Sequence, residues 1–232
     1  MVYTEKELIN LHKCTVFKLD ILTQLSEKRV VEIGEDTRTL ITINRSSDFS
    51  YGALSPKSLE FYGRTQDELN KEDESFVLDR VRSDSAERIL PALIGFYQNG
   101  DQNTTFTDIQ VIRRDVDQPF ENILTSSKIS ANGNFLTFNL RLKELGSLGA
   151  KMEKELEISR QYQRKLPQFL TLNKGQKRIL TLLAQGLTNR EIGVKLWCSA
   201  HTARTHGMAI YKKLNISSLK KAINWAMTFN LI

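Results

Sequence analysis

Residues 187–214 read LTNREIGVKLWCSAHTARTHGMAIYKKL, and the spacing of their capping and apolar side chains decides how the C-terminal part of the chain folds. Thr188-Asn189-Arg190-Glu191 has the form of a capping box, in which the hydroxyl takes the third amide of the helix and the carboxylate reaches back to the cap. It predicts a helix of about two turns that points Ile192 and Leu196 inward. Ser199 then caps a longer helix from Ala200 to about Leu214, where Ala203, Gly207, Ile210 and Leu214 recur at intervals of four, three and four, the rhythm of a buried stripe. The opposite side carries His201, Arg204, Thr205, Met208 and Lys212, polar or basic except for Met208. A short helix, a tight turn and a longer helix with a basic outer face make a helix-turn-helix unit.

Outward from this stretch the same signals continue. Asn173 and Gln176 form another box, and Ile179, Leu180 and Leu183 share the face of the helix that follows. Gly186 closes that helix in a left-handed conformation, with Leu187 folding back. A last helix opens at Ser217-Ser218 and carries Leu219, Ala222, Ile223, Ala226 and Phe229, more apolar surface than three small helices can cover. Charge follows the same division. From Leu170 to Ile232 there are ten Lys/Arg against one acid, Glu191, a net +9, whereas the remaining 23 basic and 26 acidic side chains leave the preceding part at −3. A compact basic module beside a near-neutral one is the electrostatic layout of a nucleic-acid reader with a separate sensory or interaction domain.

The pattern Leu172, Ile179-Leu180, Leu182-Leu183-Ala184, Gly186 to Ile192, Leu196, Ser199, Thr202, Arg204, His206, Ile210, Lys213 to Ile216 and Ser218 resembles the LuxR/FixJ-type DNA-binding domain. The resemblance implies that Arg204, Thr205 and Met208 face bases and that Thr188, Thr202 and Lys212 lie close to phosphates. Met208 stands where that family commonly has a basic or polar residue, which leaves it contact with a thymine methyl. His201, at the start of the same face, joins this set, and Lys212 and Lys213 are expected at phosphate or in solvent. His206, beside the apolar stripe, reads as a packing residue. In resembling domains the last helix dimerises, so Leu219, Trp225 and Phe229 are candidates for a subunit interface; simple closure of the core is the alternative.

The first 146 residues carry weaker signals. Residues 4 to 29 read as a helix, and after Gly34 the pattern changes to strands, with Leu40 to Asn44 and Phe49 to Leu54 as a first hairpin. Ser55-Pro56 suits the start of a helix, and Asp84 to Gln98 is another. Thr105 to Arg113 and Phe120 to Ile129 read as strands, Asn132-Gly133 as a type I′ turn, and Leu136, Phe138, Leu140 and Leu142 alternate beyond it. Leu54-Ser55-Pro56-Lys57-Ser58, Glu60, Tyr62-Gly63-Arg64-Thr65 and Glu68-Leu69 are similar to the segment after the second strand of a PAS domain. That resemblance, over about residues 36 to 144, implies a sensory or interaction domain; a different sheet-plus-helix sensor fold is the alternative. Between the modules, Leu145, Leu148, Met152 and Leu156 line one side of a charged helical stretch, which reads as a short signalling coil or a solvated linker helix.

The chain is therefore expected to be α+β, with an N-terminal helical segment (1–30), a PAS-like antiparallel sheet with helices (31–146), a linker helix (147–169) and a four-helix module (170–232). Its expected role is a sequence-specific, dimeric transcriptional regulator that binds double-stranded DNA under the control of a small-molecule or protein signal; the alternative is an adaptor that binds proteins through both modules. No cofactor is predicted. A haem-binding PAS domain usually offers an axial histidine, and His12 lies outside the sheet region, while a LOV-type flavin sensor needs a cysteine near the middle helices and none is there. No Ser/His/Asp set, phosphate loop or metal-spaced cluster argues for an enzyme. Cys14 and Cys198 form no metal-spaced pair, no apolar run approaches the roughly 18 residues of a membrane span, and the start lacks a secretory signal; the expected compartment is the cytoplasm.

Overall fold

The structure is a computed structural model and describes residues 4–23, 27–37, 39–47, 50–72 and 74–232. Two compact units divide it, Met1–Glu153 and Lys154–Ile232.

The first unit opens with α1 (Glu5–Thr23) and α2 (Glu27–Thr37), then β1 (Leu40–Asn44) and β2 (Tyr51–Leu54). Four helices follow: α3 (Pro56–Tyr62), α4 (Gln66–Leu69), α5 (Glu74–Leu78) and α6 (Ser83–Asn99). The chain then runs through β3 (Phe106–Arg113), β4 (Phe120–Ile129) and β5 (Phe135–Arg141). All pairings are antiparallel and the sheet order is β2-β1-β5-β4-β3, so the first and last strands of the unit lie side by side at its centre. This is the PAS-like α+β arrangement that the strand and helix order implied.

Local chemistry explains the ends of the elements. Ser55 caps α3 by accepting from the Ser58 amide, and Gly63 closes the helix at φ 61°. Pro56 takes the first helical position, where its missing N–H costs nothing. Thr65 and Glu68 form a complete capping box on α4. The turn after β4 differs from the expected type I′. Only Gly133, at φ 83°, is left-handed there, and the Gly133 amide donates to Ser130 O at 2.8 Å. That is the geometry of a three-residue loop built on a type I turn. The anticipated first residue of β2, Phe49, lies outside the described residues.

The N-terminal helices also depart from the sequence reading. Helix does not give way at Gly34; α2 continues through it to Thr37. Gly34 is where α2 touches the chain at Ser55, since a Cβ added there would stand 2.3 Å from the Ser55 Cβ. Both helices cover one face of the sheet: Val16, Leu19 and Val30 pack with Ile41, Ile43, Ala53, Leu136 and Phe138. His12 belongs to that same face, which corrects its placement outside the sheet region. It is 2% exposed, its Nδ1 is 2.7 Å from Ser126 Oγ, and its ring lies 4.5 Å from that of Phe138. Eight residues along α1, the Lys128 ammonium donates to Asp20 Oδ2 at 2.6 Å and Ser130 Oγ donates to Asp20 Oδ1 at 2.7 Å. A buried ion pair is sustained only when further hydrogen bonds satisfy its atoms, and Ser130 and Ile129 O supply them.

Burial holds the His12 imidazole neutral, its pKa lowered from 6.5 to about 4. The unfolded chain takes up a proton near pH 6.5 and the fold only near 4, so acidification between these values favours unfolding. Urea titrations should show stability falling across that window by up to about 3 kcal/mol, and His12→Gln should remove this part of the slope.

Candidate nucleic-acid interface

The second unit is built from the C-terminal part of α7 (Gly146–Leu170) with α8 (Lys174–Ala184), α9 (Asn189–Leu196), α10 (Ala200–Lys213) and α11 (Leu219–Thr228). Its core gathers Leu180, Ile192, Ala203, Ile210, Leu214 and Ala226, none more than 2% exposed. The helix ends form as their sequences direct. Asn173–Gln176 and Thr188–Glu191 are complete capping boxes, and Ser199 Oγ accepts from the Thr202 amide. Gly186 is left-handed at φ 86°, where the Leu187 amide returns to Leu182 O at 3.1 Å. This return bond satisfies a carbonyl that the helix end leaves open.

Between α9 and α10 the chain turns at Trp197, which holds a left-handed conformation at φ 57°. The turn brings Cys198 O against α9 so closely that a Cβ on Gly193 would stand 2.7 Å from it. Ala203, Gly207, Ile210 and Leu214 are all buried, and His201, Arg204, Thr205, Met208 and Lys212 are all exposed, Met208 by 65%. One continuous face of α10 is therefore presented to solvent, with the helix N-terminus at one end and Lys212 at the other. That face has the hydrogen-bonding groups that base edges and phosphates require. Arg204 offers the forked donors that match guanine O6 and N7, and the first amides of α10 offer donors to an anion.

The other predicted contacts divide. Thr188 donates its hydroxyl to Glu191 Oε2 at 2.7 Å, and hydrogen bonds from the Thr188 amide and hydroxyl hold the Glu191 carboxyl below its usual range. The Thr202 hydroxyl lies 2.8 Å from Ser199 Oγ, and Thr205 Oγ1 donates to His201 O at 3.0 Å. The Lys213 ammonium donates to Thr171 O at 2.7 Å and Gln176 Oε1 at 2.9 Å, tying the end of α10 to the start of α8. His206 is exposed, against the expectation that it packs.

Of the candidate interface residues, Leu219 is 45% exposed, whereas Trp225 is only 5% exposed and closes the unit's own core. Phe229 is likewise engaged within the unit, stacked on Phe169 with ring centroids 3.8 Å apart and an angle of 2° between planes. Tyr162 flanks it at 4.8 Å, and Lys165 donates to Thr228 Oγ1 at 2.9 Å. The end of α7 is thus part of this unit rather than a solvated linker, because its aromatic side chains complete a core that four helices leave open. What the sequence reading missed on α11 is a different stripe, Leu219, Ile223 and Met227, spaced four apart on one side of the helix. Met227 is 64% exposed. Trp197, 96% exposed beside Val194, was also missed, and an indole in a tight turn was the signal for it.

In the first unit the other face of the sheet, under α5 and α6, borders a cavity of about 370 Å³. No histidine or cysteine is among its described lining residues, and His12 is on the opposite face, packed with Phe138. Burial pushes the Tyr51 and Tyr62 phenols at its edge above their ordinary range. Among the described residues no group of three or more His, Cys, Asp or Glu is placed to hold a metal ion, and no helix is long and apolar enough to cross a membrane.

Because Phe229 is core, Phe229→Ala should destabilise the second unit by about 3 kcal/mol, while Leu219→Ala should change it by about 0.5 kcal/mol or less. Thermal unfolding of the two variants checks this; the reverse order would return Phe229 to the surface.

Residues 170–226 match the family model of bacterial regulatory proteins, luxR family. The oxygen regulatory protein NreC of Staphylococcus carnosus is 36% identical over 64 residues, 28% of this chain and 30% of that protein. Transcriptional regulatory protein LiaR of Bacillus subtilis is 37% identical over 62 residues, 27% of this chain and 29% of that protein. The chain thus spans less than a third of the length of these curated relatives. Among solved structures, the Vibrio cholera VqmA–ligand–DNA complex covers 83% of this chain and 84% of its own, at 14% identity and a TM-score of 0.32, a likeness too loose to bear on the fold. The C-terminal module, residues 170–226, is a LuxR-type helix-turn-helix domain.

Proposed function

We propose that the chain is a cytoplasmic, sequence-specific transcriptional regulator that binds double-stranded DNA as a homodimer, its DNA binding modulated through the PAS-like unit. The observation that carries this reading is the exposed face of α10; on it we assign Arg204, Thr205 and Met208 to base edges and His201, Thr202 and Lys212 to the DNA backbone. Thr188, at the N-terminus of α9, supports a phosphate chiefly through the amides of the first helical turn, its hydroxyl being engaged with Glu191. The division into residues 1–30, 31–146, 147–169 and 170–232 is kept as the functional one, with the end of α7 shared by the DNA-binding unit.

Dimerisation is assigned to the stripe Leu219, Ile223 and Met227, exposed at Leu219 and Met227 and half-buried at Ile223, since Trp225 and Phe229 belong to the core. Two-fold symmetry then favours an inverted repeat whose half-sites lie about one helical turn apart.

Arg204→Ala should cost roughly 1–3 kcal/mol and relax preference at one base pair of each half-site. Lys212→Ala should weaken binding to all sequences and lower the slope of log affinity against log salt by about one. Fluorescence anisotropy over a salt series reads both, and unchanged affinity in both variants would refute this docking. Met227→Glu should leave the unit folded but lower its mass in sedimentation to that of a monomer; a persistent dimer would remove α11 as the interface.

A further inference from the structure

We propose that the cavity of the first unit binds a compact, electrically neutral ring compound with a hydrogen-bonding edge toward Asn139 and Gln110 and an apolar face toward Leu90 and Ile94. This deepens, and rests on, the reading of that unit as a sensory domain.

Size comes first. The cavity encloses about 370 Å³. Ligand pockets begin at roughly 300 Å³, so this one stands at the small end of their range and suits one or two rings.

Charge narrows the class further. Arg80 is the one charged side chain among the described lining residues, and it is already engaged. Its Nε donates to Arg114 O at 3.2 Å, one terminal nitrogen to Phe76 O at 3.1 Å and the other to Asp115 Oδ1 at 2.9 Å. The guanidinium also lies 3.5 Å over the Phe76 ring. An anionic ligand would have to compete with Asp115 for Arg80, and a cationic one meets no carboxylate in the lining. Desolvation of an unpaired ion therefore selects against both.

Hydrogen bonds within the floor show which polar atoms remain for a ligand. Ser127 and Thr137 satisfy each other at 3.0 Å, and Thr125 donates to Asn139 Oδ1 at 2.8 Å, which fixes the Asn139 amide. Its Nδ2 and the Gln110 amide have no partner among the described residues. Gln110 pairs in register with Ile123 and Asn139 with Thr125, so the two amides share one face of the sheet and flank β4 from either side, two residues apart along it. At the rim, Leu90 and Ile94 of α6 are 39% and 44% exposed. A ring lying there would take that apolar area out of water. The Tyr51, Tyr62 and Phe135 side chains in the walls favour ring stacking.

The test titrates the full-length protein, without DNA, with three bicyclic probes of similar size: quinolinone, a neutral lactam; quinaldate, a carboxylate; and N-methylquinolinium, a cation. Calorimetry should show quinolinone binding at least about tenfold more tightly than either ion. Gln110→Leu should weaken quinolinone about fivefold or more without lowering the thermal midpoint. Asn139→Asp, which keeps an acceptor for Thr125, should shift preference toward N-methylquinolinium. Quinaldate binding as tightly as quinolinone, an unchanged Kd in Gln110→Leu, or no binding of any probe up to about 5 mM would each overturn the proposal. Binding is read without DNA, so such a result leaves the role of α10 standing, and failure of α10 to bind DNA leaves the cavity result standing.

Discussion

The sealing of Ala203, Gly207, Ile210 and Leu214 against the other helices of the second unit is the constraint on which the interface depends. Once that stripe is buried, the roughly 100° step of the helix leaves His201, Arg204, Thr205, Met208 and Lys212 together on the outside. Nothing else is needed to aim them. The caps at Thr188 and Ser199 fix where α9 and α10 begin, and the left-handed Trp197 fixes the angle between them, so the exposed face is set by packing rather than by contacts of its own. A surface positioned in this way is formed before any ligand arrives, and little ordering cost is added on binding.

How much could be read from sequence alone tracks how local the determining interactions are. Capping boxes, the glycine at 186 and the α10 stripe involve residues three to seven apart, and each forms as its spacing directs. The errors lie where distant segments meet. The chain reads as a helix only to residue 29 and as strand after Gly34, because the close approach of α2 to Ser55, twenty-one residues beyond Gly34, leaves no local signal. His12 reads as remote from the sheet because its partner, Ser126, is 114 residues away. Trp225 and Phe229 read equally as interface or as core closure, because the end of α7, which packs against Phe229, looks like a charged linker.

Strand β4 joins the two faces of the first unit. Thr125 and Ser127 floor the cavity, while Ser126 and Lys128 hold α1 through His12 and Asp20. Four consecutive polar side chains in the middle of a buried strand run against the usual apolar alternation, and each has a partner that accounts for it. The middle of β4 is thereby committed to two polar tasks on opposite sides, and hydrophobic burial is carried by β1, β5, the flanking positions Ile112 of β3 and Ile123 of β4, and the helices around them.

The central claim is that the outer face of α10 reads DNA sequence. Its most direct test is selection from a random pool of duplex DNA by the full-length protein at about 150 mM salt, where weak charge-driven association is suppressed, followed by sequencing of the retained fraction. The account predicts enrichment of a single inverted repeat with half-sites about one helical turn apart. A retained fraction as diverse as the starting pool, with binding that disappears as salt is raised, would contradict it.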